Sequence, residues 1–391
     1  MWRRMKPTVL AMTPAYLPGY KAGGSLRTLV NLVDRLGDEF DFRVVTLDRD
    51  FRETEPYPGI ERERWAAVGR ARVYYMEPRR CTAARIAALL AATPHDLLYL
   101  NSCFHPGFTL NALRLRRSGR AVVPRVVVAP RGELGRGALS KRRLKKRAFL
   151  TFARLAGLYR GVEWSASSAA EAADIRRELG ARASIHVARD LLPADLDLLL
   201  PERDGAKRPG VLRAVALSRI SPEKGTKQAI GLLAPLQGDV RLDIYGLIDD
   251  AGYWKECRNL IVRLPENVKV EHRGTLGYSE VLRVLGDYDL FFLPTLGENF
   301  GYAILEAMAA GCPVLVSDRT PWRGLEQAGV GWDLPLEDAV GWVKALQRCV
   351  AMDAGEHDAL SRQARRYGLE RLKDDDSVQQ NRALLRSALG D

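Results

Sequence analysis

Residues Asp289–Ser317 read DLFFLPTLGENFGYAILEAMAAGCPVLVS, and the stretch spells out one complete strand–helix–strand unit. Asp289–Pro294 is a short apolar strand, TLGEN a polar loop, Phe300–Ala310 a helical period stopped by Gly311, and Pro313–Ser317 a second apolar strand. The loop aims the backbone N–H groups of Asn299, Phe300 and Gly301 away from the helix start, where unsatisfied amides and the helix dipole favour an anion. On a helical wheel Ile304, Leu305 and Met308 form the apolar stripe, whereas Glu306 shares a face with Ala303, Ala307 and Ala310. Glu298 and Glu306 then line one pocket at different depths, two acceptors suited to the hydroxyls of a sugar or a ribose.

The same alternation continues on both sides of this unit. Strands at Leu212–Leu217, Arg241–Tyr245, Val268–Glu271, Asp289–Leu293 and Val314–Ser317 are each followed by a helix or loop. The first half offers strands at Thr8–Met12, Phe42–Leu47, Asp96–Leu100 and Val126–Ala129, and helices at Leu26–Leu36 and Ser165–Leu179. A chain of 391 residues exceeds what one hydrophobic core usually supports. The expected fold class is α/β with two doubly wound, Rossmann-like domains built on parallel sheets. Residues 1–190 form the first domain, and residues 191–210, with prolines at 193, 201 and 209, the linker. Residues 211–370 form the second domain, and 371–391 a helical segment that packs back on the first. Open parallel sheets bind ligands at the carboxyl ends of their strands, so the loops there carry the chemistry.

Two such loops stand out. Strand VLRAVALSR (211–219) runs into ISPEKG, with Thr226 as the expected cap of the next helix. Arg219 and Lys224, next to a helix N-terminus, are cations suited to a diphosphate, both at rest and as it departs. In the first half PAYLPGYKAGGS (14–25) precedes a helix; Gly23 and Gly24 allow close backbone approach to a ligand, and Ser25 is an expected cap.

The segment GENFGYAILEAMAAGCPVLVS (297–317), with its two glutamates flanking a glycine-containing helix start, resembles the signature of glycosyltransferase family 4. SRISPEKG (218–225) resembles that family's diphosphate-binding loop in order and spacing. The resemblance implies a GT-B fold, its two domains facing each other across a cleft, a nucleotide-sugar co-substrate such as a UDP-sugar or GDP-sugar, retention of anomeric configuration, and no metal or other cofactor. It implies catalytic roles for Glu298, Lys224 and Arg219. Glu298 is directed to the donor sugar hydroxyls, Glu306 to the ribose, the amides of Asn299, Phe300 and Gly301 to sugar or phosphate, and Gly23 and Gly24 to the donor phosphate and the acceptor. Many members carry a histidine where this chain has Asn101; either Asn101 or His105 makes that donor contact, or the site prefers a different donor. VVVAPRGELGRGALSKRRLKKRAFL (126–150) resembles a subgroup of the family and puts Arg131 and Glu133 near the acceptor or sugar.

Composition narrows the rest. The formal charge of +12 predicts an anionic partner. Its cations are spread along the chain with no recognised nucleic-acid module, so nucleic acid is not expected. Lys141–Arg147 holds six cations in seven residues, with Leu144, Ala148, Phe149, Phe152 and Leu155 at helical spacing around and after it. This is either a solvated helix face or a basic amphipathic helix on an anionic membrane, in which case the acceptor is a polyprenyl-linked glycan. No apolar run is long enough to span a bilayer, and the expected location is cytoplasmic, peripheral at the inner membrane face. Five scattered cysteines suit neither a disulfide framework nor zinc. The Asp-x-Asp pairs Asp48/Asp50, Asp195/Asp197 and Asp287/Asp289 are the raw material of a metal-dependent GT-A site, but they lack its architecture. The expected function is hexosyl transfer in surface polysaccharide synthesis (capsule, exopolysaccharide or lipopolysaccharide). A sugar-nucleotide epimerase or a degenerate nucleotide-sugar-binding module on the same fold is the alternative.

Overall fold

The computed structural model describes residues 6–135, 138–139, 143–193, 206–373 and 375–390, which fall into two units: residues 1–194 with 374–391, and residues 195–373. In the first unit the strands are β1 (Thr8–Met12), β2 (Asp41–Leu47), β3 (Trp65–Val68), β4 (Ala71–Met76), β5 (Leu97–Leu100), β6 (Val126–Val128), β7 (Glu163–Ala166) and β8 (Ser184–Val187). They make one sheet in the order β3-β4-β2-β1-β5-β6-β7-β8. Strand alternation sends Val9 and Ala11 to one face and Leu10 and Met12 to the other, and both faces are buried. The first face is covered by α1 (Gly24–Leu36), through Leu29, Leu32 and Val33, and by the helix Asp375–Leu389, through Leu384, Leu385 and Ala388. The second is covered by α2 (Ala83–Ala92), α3 (Asn111–Arg117), α4 (Arg143–Leu155) and α5 (Ala169–Leu179). Each fully buried leucine contributes on the order of 2 kcal/mol.

The second unit has a six-stranded, wholly parallel sheet, β11-β10-β9-β12-β13-β14, from β9 (Val211–Leu217), β10 (Asp239–Tyr245), β11 (Val268–Gly274), β12 (Leu290–Leu293), β13 (Val314–Ser317) and β14 (Gly331–Leu334). Its helices are α6 (Thr226–Leu233), α7 (Ala251–Ile261), α8 (Tyr278–Gly286), α9 (Tyr302–Ala309), α10 (Ala339–Ala351) and α11 (Ala354–Leu372). Side-chain caps at Asp250, Asp338 and Asp353 start α7, α10 and α11. Among the parallel strands of each sheet the order reverses once, between β1 and β5 in the first unit and between β9 and β12 in the second. Those switch points open the crevice where doubly wound sheets take ligands, and the loops leaving β1, β5, β9 and β12 hold most of the residues singled out from sequence.

Several local expectations are corrected. The first sheet is not wholly parallel, because β3 and β4 form an antiparallel pair through Trp65–Val68 and Ala71–Met76. The helix expected from Ser165 begins at Ala169; Glu163–Ala166 is a strand whose Trp164 and Ala166 are buried, and Ser168 caps the helix by accepting from Glu171 N. Neither Ser25 nor Thr226 is a cap. The chain enters α1 and α6 at Gly23 (φ 67) and Gly225 (φ 70), which turn in the left-handed region and need no side-chain acceptor. The boundaries between units fall at 194/195 and 373/374. Leu191, expected in the linker, lies inside the first unit, its O accepting from Asn31 next to the Asp190–Arg131 ion pair.

Candidate functional site

In the second unit the loops after β9 and β12 are fastened to one another. After Ser218 the chain makes a short turn at Pro222–Lys224 and then Gly225. A methyl group on Gly225 would stand 1.9 Å from Pro294 O, so only glycine allows the two backbones to pass this closely. Glu223 O receives Leu296 N at 2.7 Å and the Thr295 hydroxyl at 3.2 Å, while Ser317 Oγ donates to Thr295 O at 2.6 Å. Across this junction Lys224 Nζ donates to Glu298 Oε1 at 2.7 Å, each side chain about 13% exposed. The two residues come from motifs 74 positions apart. At this low exposure, parting the two charges costs about 1–3 kcal/mol unless an incoming anion takes the place of Glu298 on Lys224.

Gly301 (φ 79) is the N-cap of α9 and makes no side-chain bond to the helix start. The turn before it is braced by Trp322, whose Nε1 donates to Phe300 O at 2.6 Å and whose ring meets that of Phe300 edge-on. Glu298 N donates to Arg319 O, fixing the start of the turn. Glu306 sits in the second turn of α9, buried together with Ala307 and Ala310. Arg219 is held differently from Lys224: its Nη1 lies 3.8 Å from Asp249 Oδ2, in the loop after β10. That loop runs against the Arg219 loop through Ile220 N→Leu247 O and Asp249 N→Ile220 O. The structure thus brings Lys224 to Glu298, and leaves Arg219 with a separate carboxylate.

In the first unit the glycine turn is anchored from several sides. Asp50 accepts from Tyr20 N and Lys21 N, and Tyr75 OH donates to Leu17 O. Asn101, directly after β5, is 2% exposed; its Nδ2 donates to Ser25 O at 2.9 Å and its Oδ1 accepts from Arg131 Nε at 2.9 Å. Arg131 Nη1 donates to Asp190 Oδ1 at 2.7 Å and Nη2 to Tyr99 OH at 2.6 Å. Burial pushes the Asp190 carboxyl up to about 6 against the pull of Arg131. Glu133 accepts from Ser102 Oγ, Cys103 N and Phe104 N, and burial raises its pKa. His105 accepts Phe108 N at Nδ1 and stacks on the Phe108 ring; burial lowers it to about 4, so it is neutral at pH 7 with its proton on Nε2. Arg131, Glu133 and His105 are therefore each bound into the framework of the first unit.

The Asp-x-Asp carboxylates also serve the framework: Asp48 pairs with Arg49, Asp50 anchors the glycine turn, and Asp289 accepts from Arg213 N. Asp195 and Asp197 lie outside the described residues. Among the described residues no group of three or more His, Cys, Asp and Glu side chains is arranged to hold a metal ion. Thr295, Ser317, Trp322, Tyr99 and Asp190 also shape these loops, although no sequence motif singles them out. Only the position of Thr295 and Ser317 at strand ends carried a signal.

Residues 203–367 match the family model described as glycosyl transferases group 1. Among solved structures, the chain is similar to sucrose-phosphate synthase from Thermosynechococcus elongatus, with TM-score 0.69 and 16% identity over 98% of this chain and 100% of that one. It is similar to Anabaena HepE in complex with UDP-glucose, with TM-score 0.67 and 19% identity over 97% and 99%. It is also similar to WaaG, a glycosyltransferase involved in lipopolysaccharide biosynthesis, with TM-score 0.63 and 14% identity over 95% and 98%. No curated protein sequence matches the chain significantly. The chain thus has the two-unit GT-B fold, and the group 1 match falls within its second unit.

Proposed function

We propose that the protein transfers a hexosyl group from a nucleotide-diphosphate sugar to a glycan acceptor with retention of configuration. The observation that carries this reading is the Lys224–Glu298 pair at the switch point of the second sheet, within the segment matched by the group 1 model. In the reaction an acceptor hydroxyl oxygen bonds to the anomeric carbon as the bond from that carbon to the β-phosphate oxygen breaks. The departing phosphate oxygen takes the hydroxyl proton on the same face of the sugar, so neither a protein nucleophile nor a metal is required. Lys224 and Arg219 neutralise the charge that grows on the leaving diphosphate. The amides of Asn299, Phe300 and Gly301 add donors at the start of α9. Released from Lys224, Glu298 orients the sugar hydroxyls, and Glu306 holds the ribose. HepE was solved with UDP-glucose, which favours a UDP-hexose as the first donor to try.

The acceptor we infer is polyprenyl-linked and met at an anionic membrane surface, in surface polysaccharide synthesis. Supporting this, Ala148, Phe152 and Leu155 share the solvent face of α4, with Phe152 66% and Leu155 84% exposed, between Lys145 on one side and Arg147 and Arg154 on the other. Lys141 and Arg142 of the basic run lie outside the described residues. Among the described residues no helix is long and apolar enough to cross a membrane. The first test is a thermal-shift screen with UDP, GDP, ADP and their sugars, in which a ligand at about 100 times its Kd adds roughly 2.7 kcal/mol. Stabilisation by one base series, followed by EDTA-resistant transfer with the α-anomer retained in NMR of the product, is the expected result. No stabilisation by any nucleotide would sink the reading. Flotation with anionic liposomes tests the surface, and F152S/L155S should abolish it.

A further inference from the structure

We propose that Asn101, together with Arg131 and Asp190, is a positioning residue: the three grip the first turns of α1 and so fix the glycine turn at Gly23–Ser25 without touching its ligand. The orientation of the Asn101 amide follows from its neighbours. Its oxygen faces a guanidinium that can only donate, and its nitrogen faces Ser25 O, which can only accept. The nitrogen also reaches Thr13 Oγ1 at 3.3 Å, tying the end of β1 to the end of β5. Arg131 uses three of its N–H directions on three unlike acceptors, an amide oxygen, a carboxylate and a phenol. It does so from φ 53, a conformation that costs a residue with a side chain and persists only where the surroundings demand it. Asp190 closes the grip from the far side. The Thr28 hydroxyl lies within reach of its carboxylate and of Gly24 O, and Asn31 Nδ2 donates to Leu191 O at 2.6 Å.

The arrangement explains how an asparagine suits a position where a ligand-facing side chain is the alternative. Its polar atoms are spent on Ser25 O, Thr13 and Arg131, so any contribution to a reaction passes through the turn's backbone. Arg189, next in the chain to Asp190, is itself held by Gln380 and Asn381. The segment by which the chain leaves the first unit and the glycine turn are therefore parts of one hydrogen-bonded body. The link to turnover rests on the transferase reading, whereas the grip itself does not.

The test compares wild type with Asn101→Asp, which is isosteric but puts a carboxylate oxygen against Ser25 O, and Arg131→Lys, which keeps the charge and loses the fork. Hydrogen exchange of the full-length protein is read by mass spectrometry in the peptide holding the Arg27–Leu29 amides. The expected result is exchange about tenfold faster there in both variants, the scale of a lost hydrogen bond, with α2, α5 and the second unit unchanged. With UDP-glucose as the probe donor, kcat should fall about tenfold or more while KM stays within about threefold. Unchanged exchange overturns the proposal, as does faster exchange with kcat intact. Faster exchange alongside a wild type that transfers nothing from UDP-, GDP- or ADP-sugars upholds the grip and overturns the transferase reading instead.

Discussion

Replacing Lys224 by Met and Glu298 by Gln, singly and together, separates what their ion pair does for stability from what it does for chemistry. The pair is 2.7 Å long and each side chain is about 13% exposed, so removing either partner leaves the other charge largely desolvated. The loss is about 1–3 kcal/mol, at the lower end of what broken buried pairs lose because water reaches one side. In a unit of this size each kcal/mol moves the melting temperature by roughly 2–4 °C. Each single variant should therefore melt about 2–12 °C lower. The double variant removes both charges from similar volumes and should recover most of that loss. Turnover should behave otherwise. Losing a charged donor to the leaving diphosphate costs about 2–4 kcal/mol of transition-state stabilisation, a fall of roughly 30- to 1000-fold, and the double variant should stay as slow as Lys224→Met alone. Melting followed by scanning calorimetry, beside transfer measured with UDP-glucose, reads both quantities. A double variant that regains stability and turnover together would show the pair to be structural, and the reasoning would fail.

Gly225→Ala should cost about 1–2 kcal/mol for the left-handed backbone alone, and more because the methyl would stand 1.9 Å from Pro294 O. It should therefore weaken nucleotide binding as well as melting, which isothermal titration with UDP checks. His105 binds its proton more tightly when unfolded, near 6.5, than when folded, near 4. It thus adds nothing against folding above about pH 6.5, and its cost grows as pH falls to about 4, reaching roughly 3 kcal/mol. His105→Asn keeps a capping side chain at this position and should flatten the pH dependence of urea unfolding between those limits; an unchanged slope would refute the assignment. Lys207 is buried with Nζ on the carbonyls of Arg208, Val350 and Met352, so Lys207→Met should cost about 1–3 kcal/mol of unfolding free energy in the second unit.

The second unit was the more legible half, because its parallel strands are short apolar runs and its two loops are contiguous in sequence. Arg219, Lys224 and Glu298 could be named one by one, but that Lys224 meets Glu298 while Arg219 meets Asp249 depends on strand order, which no local pattern encodes. The brace from Trp322 to Phe300 O is hidden for the same reason. In the first unit periodicity found α1 and the strands beside it but gave no sign that Asp190, at the end of the expected first domain, is a tie, since its partner Arg131 lies 59 positions away. Ser25 and Thr226 misled because each follows a glycine, and glycine's freedom at positive φ starts a helix without a hydroxyl. Arg131 and Glu133 are conspicuous charges in a loop, and only their burial reveals them as internal ties.

The helix Asp375–Leu389 fills the face of a sheet whose strands all lie before residue 188. On a ribosome adding about 5–20 residues per second, that sheet waits roughly 10–40 s for its last covering element, whereas the unit synthesised in between has all its own parts in hand. Until the helix arrives, the cluster around Val9, Ala11 and Val44 lacks Leu384, Leu385 and Ala388. The second unit can therefore close its core while the first still awaits the helix Asp375–Leu389.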